Sequence, residues 1–208
     1  MGFIIMLAFS ALIAFTDVYD GTGMINFICI YNFAILSIMT LGQVMSFEGN
    51  YLDGLMSRKE SIYNLLRAKY YLNCIIVFIP FLIMMIPVAK GKIPFLMALS
   101  YMLFTTGFVF AMMLQLAVYN KDTPVKRQCH AKQSGKFLIP DHYHLMCFFL
   151  PLIINKALTA FFEQDTACII MMIIGLLLIA THNIWIKNIY NRFMKRRYEN
   201  MEGFRDSR

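Results

Sequence analysis

Five apolar runs of this chain share a single formal charge. Residues 24–45, 71–89, 95–118, 145–162 and 167–185 contain no Asp, Glu, Lys or Arg other than Lys156. At about 1.5 Å of rise per residue, each is long enough as a helix to cross about 30 Å of hydrocarbon. A soluble bundle would show polar faces at the helical period, and these runs have none. Composition agrees, at 59% hydrophobic and 15% charged, against about 45–50% and about 25% in soluble domains. The expected fold class is an all-α integral membrane protein.

Residues 2–16 form a shorter sixth run that ends at Asp17. The run lacks the basic flank of a secretory signal, and Met6 stands where a myristoylation signal requires Ser or Thr. Two readings stay open: a short natural first helix, or the edge of a longer permease of which this chain is the C-terminal portion. With their flanks, the six expected spans are 2–18, 24–46, 70–89, 94–119, 143–162 and 167–187, in one transmembrane domain covering 1–208.

The charges orient these spans. Sixteen of the 19 Lys and Arg residues follow the second, fourth or sixth span, while Lys90 and Lys92 sit on the other side with Asp17, Asp20, Glu163 and Asp165. The positive-inside rule then places both termini, the 120–142 loop and the basic 188–208 tail in the cytoplasm. That distribution accounts for the formal charge of +7 without a nucleic-acid partner. The five cysteines, Cys29, Cys74, Cys129, Cys147 and Cys168, show no disulfide framework or metal spacing.

Between the second and third spans lies the most polar interruption, 47–71, with seven charged residues. Ser57 and Glu60 stand at capping-box spacing, which predicts a helix from Arg58. Ile62, Leu65, Leu66 and Lys69 then follow at i, i+3, i+4 and i+7. Upstream, Tyr51, Leu52, Leu55 and Met56 cluster on one side of a short helical piece between Gly49 and Gly54. The plainer alternative is an interfacial helix that anchors aromatic rings.

The residues Phe47-Glu48-Gly49, Leu55-Met56-Ser57, Leu65-Leu66 and Ala68-Lys69-Tyr70 resemble permease subunits of ABC transporters of the type-2 exporter class, closest to an uncharacterised bacterial branch. The resemblance covers roughly 25 residues and is moderately specific. It implies that 47–69 is a cytoplasmic coupling segment, with Glu48, Gly49, Tyr51, Leu52, Asp53, Leu55, Met56, Ser57, Arg58 and Lys59 docking on a separate ATPase subunit. ATP and Mg would be held by that partner, so the chain itself would be no enzyme and would bind no cofactor. A permease dimer or second permease half, and a multi-pass place in the bacterial inner (cell) membrane, follow from the same resemblance. The chain departs from the class in having no amphipathic helix before Gly2 and only 163–166 between its last two spans.

The remaining chemistry is sparse. Gly135-Lys136-Phe137 lacks the preceding glycine and the Ser or Thr of a phosphate-binding loop. Cys129, His130, His142 and His144 do not match structural zinc spacings. They are the one cluster a membrane enzyme acting on a lipid-linked substrate would need; a purely structural subunit is a third reading. Lys156, with neighbouring Asn155, is a candidate for a translocation path, against the alternative that Lys156 snorkels outward toward Glu163. Pro80 and Pro87 predict a kinked third span and a hinge. Asn32, Gln43, Asn73 and Gln115 read as interhelical glue. In the tail, Ile189, Phe193 and Arg197 repeat at spacing four beside a basic face. The last helix is therefore expected to run on into the cytoplasm, as a topology anchor or against anionic lipid.

Overall fold

A computed structural model describes residues 21–41, 44–48, 54, 59–119 and 142–206, and every element among them is helical. The chain runs through α1 (Thr22–Leu41) and the short α2 (Val44–Glu48). Then come α3 (Lys59–Ile76), α4 (Phe78–Ala89) and α5 (Phe95–Phe104). A π-helical turn over Thr105–Val109 joins α5 to α6 (Phe110–Ala117). The last four helices are α7 (His142–Thr159), α8 (Gln164–Ala180), α9 (His182–Lys195) and α10 (Arg197–Asp206). The expected first span and almost all of the 120–142 loop lie outside the described residues.

By length and composition two helical runs can cross a membrane, Ile62–Ala89 with 28 residues and Phe95–Ala117 with 23. A third is added if α8 and α9 count as one bent span, and Gly23–Ala34 and Phe149–Thr159 are shorter apolar helices. The α3–α4 run shows how such a helix meets two environments. Ile62, Leu66, Tyr70, Asn73, Val77, Pro80, Met84 and Pro87 are buried at steps of three or four residues. On the other side Leu72, Ile75, Ile79, Leu82 and Ile86 are exposed. A continuous apolar outer stripe is a liability in water and a match for lipid.

Both prolines lie on the buried stripe. Pro80 sits in the first turn of α4, where its missing N–H leaves the carbonyl four residues back without a donor; Val77 breaks the helical pattern just before it. Pro87 sits in the last turn, and a Schellman motif closes the helix there. Lys92 N–H donates to Pro87 O and Gly91 N–H to Val88 O, with Gly91 at φ +72°, a conformation glycine adopts without a Cβ clash.

The closest helix crossing joins α5 and its π turn to α8. A Cβ added to Gly107 would fall onto the carbonyl oxygen of Gly175. One added to Gly175 would lie 2.6 Å from the Leu103 carbonyl carbon and oxygen and 2.7 Å from Phe104 N. These are backbone atoms that cannot swing aside, so both positions require glycine. The contact is the small-residue packing that lets membrane helices approach to backbone distance.

The C-terminal part differs from the expected single straight helix. The expected span 167–187 is broken at Thr181, where α8 and α9 meet at 63°. Past the bend, α9 buries Ile186, Ile189 and Phe193 against α3 and α6. Asn200 of α10, fully buried, donates through Nδ2 to Val118 O at 3.1 Å, and Arg196 lies 4.6 Å from the centre of the Tyr119 ring. The tail therefore folds back onto the end of α6.

Candidate functional site

The segment singled out by sequence is fastened at its base. Glu48, the last residue of α2, meets Lys69 of α3 through Oε1 and Nζ at 3.0 Å, both side chains partly exposed. One turn further along α3, Asn73 donates through Nδ2 to Lys69 O at 2.9 Å and accepts the Thr40 hydroxyl of α1 on Oδ1. Deeper still, Asn32 Nδ2 donates to Met84 Sδ at 2.9 Å. These three rungs tie α1–α2 to the antiparallel α3–α4. An exposed ion pair contributes at most about 1 kcal/mol and a hydrogen bond inside a bundle about 0.6. Their value is geometric: they fix the end of α2 and α1 against α3–α4.

Beyond that base, α3 is keyed to the α8–α9 bend. The last carbonyls of α8 are capped from the bend: the Thr181 N–H donates to Leu177 O at 3.0 Å, and side chains add further donors. Thr181 Oγ1 donates to Leu177 O at 2.9 Å, Trp185 Nε1 donates to Leu178 O at 2.9 Å, and His182 Nδ1 lies 2.8 Å from Ile179 O. A carbonyl only accepts, so His182 Nδ1 carries the proton and, in the neutral ring, Nε2 is an acceptor. The Tyr71 hydroxyl, 2.9 Å from Nε2, is then the donor, and its oxygen accepts from Arg67 Nε at 2.9 Å. One directed relay results, from Arg67 through Tyr71 and His182 to the end of α8.

Tyr70 forms the apolar half of the key. Its ring stacks on His182 at 5.6 Å and 17°, meets Trp185 edge-on at 5.2 Å, and meets Phe110 of α6 edge-on at 6.3 Å. Tyr63 and Tyr190 make a further edge contact between α3 and α9 at 6.0 Å. Aromatic pairs of this kind add about 0.5–1.5 kcal/mol each beyond burial. Both halves pack α3 against the α8–α9 bend.

The sequence-nominated residues divide as follows. Glu48 is in the base pair just described, and Lys59 opens α3. Gly49, Tyr51, Leu52, Asp53, Leu55, Met56, Ser57 and Arg58 lie outside the described residues, as do Cys129 and His130. The side chains of His142 and His144 are likewise outside that description. Asn155 and Lys156 are adjacent but face apart: Asn155 is buried with its Oδ1 unpartnered, whereas Lys156 is exposed near the end of α7. Among the described residues Lys156 makes no ion pair with Glu163, and no group of three or more His, Cys, Asp or Glu side chains is placed to hold a metal.

Sequence reasoning missed the partners of His182. Two signals pointed to them: a Thr-His pair with Trp185 three residues on, at the end of an apolar run, and a Tyr-Tyr pair at the start of another. Gly175, the one glycine inside the last apolar run, was a third signal.

Fold and site together define a helical, membrane-compatible bundle in which α3 is keyed to a bent C-terminal helix pair. The chain belongs to the family of unknown function DUF5687, which matches residues 1–207. No curated protein and no solved structure matches it.

Proposed function

We propose that this chain is a multi-pass permease subunit of the inner cell membrane, coupling ATP hydrolysis by a separate ATPase to movement of a substrate across the bilayer. The reading rests on the family-like motifs around 47–69 and on one structural observation, the keyed path from the base of that segment to the α8–α9 bend. ATPase closure would press on 49–58, move α3 as a rigid lever from the Glu48–Lys69 base, and change the bend through Tyr70, Tyr71 and His182. Such a hinge between packed helices is an ordinary way to turn a small displacement into a conformational switch. Pro80 and Pro87, on the buried stripe of α4, are where the run beyond α3 would flex. Export is the expected direction, with ATP and Mg on the partner and a permease dimer or second half completing the path. Asn155, buried with its Oδ1 unpartnered among the described residues, is the better of the two translocation candidates.

The experiment is co-purification from native membranes in mild detergent. Wild type should retain an ATPase subunit, and a variant with Tyr51, Leu55 and Met56 changed to polar residues should lose it while keeping its thermal melting. An ATPase that stays bound to the altered segment sinks the docking role.

A further inference from the structure

We propose that the outward face of α9 is a docking surface for anionic phospholipid headgroups. The face is formed by Lys187, Asn188, Asn191, Arg192 and Lys195, all exposed, and α9 contains no acidic residue. Among the described residues none of its three cations forms an ion pair. Four of these residues, with Met194, line an open pocket of about 500 Å³.

Three observations favour a lipid surface as the occupant. The 63° bend turns α9 away from the apolar α8. If α8 stands near the usual tilt of a membrane helix, about 20° from the normal, α9 lies between about 43° and about 83° from the normal, closer to the membrane plane over nearly all of that range. Trp185 and Tyr190, half-buried along α9, are the side chains that concentrate at the headgroup level. The inner stripe Ile186, Ile189 and Phe193 is already satisfied by α3 and α6. What α9 leaves unpaired is charge, and a lipid phosphate complements it. The surface potential of an anionic leaflet favours each such cation by about fivefold in equilibrium binding. Anionic lipid would hold the distal side of the bend while α3 bears on the proximal side. The inference stands whether or not an ATPase drives the chain.

The test is native mass spectrometry of the full chain from micelles holding equal phosphatidylglycerol and phosphatidylcholine. The wild type should retain phosphatidylglycerol over phosphatidylcholine by at least tenfold, and less so as salt rises. The triple variant K187Q/R192Q/K195Q should lose the preference while its melting temperature and Trp185 emission stay unchanged. Equal retention of both lipids by wild type, or an undiminished preference in the variant, overturns the proposal. So does complete displacement of phosphatidylglycerol by millimolar inorganic phosphate, which would mark a free-anion site. Loss of a co-purified protein from the variant with no lipid preference in wild type would assign the face to a protein partner and overturn it equally.

Discussion

Two of the crossings that hold the C-terminal helices to the rest of the bundle are built from opposite materials. At the α5–α8 crossing Gly107 and Gly175 bring backbone against backbone, with no side chain between them to adjust. At the α3–α9 crossing the contact is made by rings and hydrogen bonds, Tyr70 and Tyr71 against His182 and Trp185. Glycine packing is set by shape and tolerates no sliding, whereas hydrogen-bonded side chains can be exchanged for water at modest cost. The first crossing therefore reads as a fixed pivot and the second as an adjustable coupling. Between them lies the 63° bend.

The contrast can be broken at graded cost. Gly175→Ala should be the most damaging, losing about 3 kcal/mol in an SDS unfolding titration, because its Cβ meets backbone and the helices must part. If it melts like wild type, the crossing is not backbone-tight. Tyr70→Leu keeps most of the buried volume but removes four ring contacts, three of them to other helices, and should cost about 2 kcal/mol. Trp185 is the only tryptophan of the chain, so its emission should shift in the same variant. Tyr71→Phe should cost about 1 kcal/mol and, in a double-mutant cycle with His182→Gln, show coupling of similar size; strict additivity would separate the two residues. Glu48→Gln should cost no more than about 0.5 kcal/mol, an effect that shrinks with added salt.

Parts of this were legible in the sequence for physical reasons. Ser57 and Glu60 announced a helix that continues into the third apolar run, and α3 is described from Lys59 onward. The seven-residue spacing of Pro80 and Pro87 put them on one face, and that face is the buried one. The rest of the buried stripe was hidden because Leu72 and Ile75, which face outward, are as apolar as Ile62 and Leu66, which face inward; a lipid-facing helix has no polar side to give the period away. The bend at Thr181 was hidden because hydropathy continues through Trp185, while side chains of the bend meet the carbonyls of residues 177–179. Asn155 and Lys156 were taken together as neighbours in sequence, yet successive helical residues point about 100° apart, and one is buried while the other is not.

Whether a push at 49–58 reaches the bend is best measured as a distance. On a cysteine-free background, spin labels at the exposed positions Ile173 on α8 and Asn191 on α9 report the angle between the two helices in proteoliposomes containing the co-purified ATPase. ATP should shift that distance, and Y71F/H182Q should abolish the shift while the ATPase stays bound. An unchanged distance on adding ATP, or a shift of the same size in the double variant, would mean that α3 does not drive the bend.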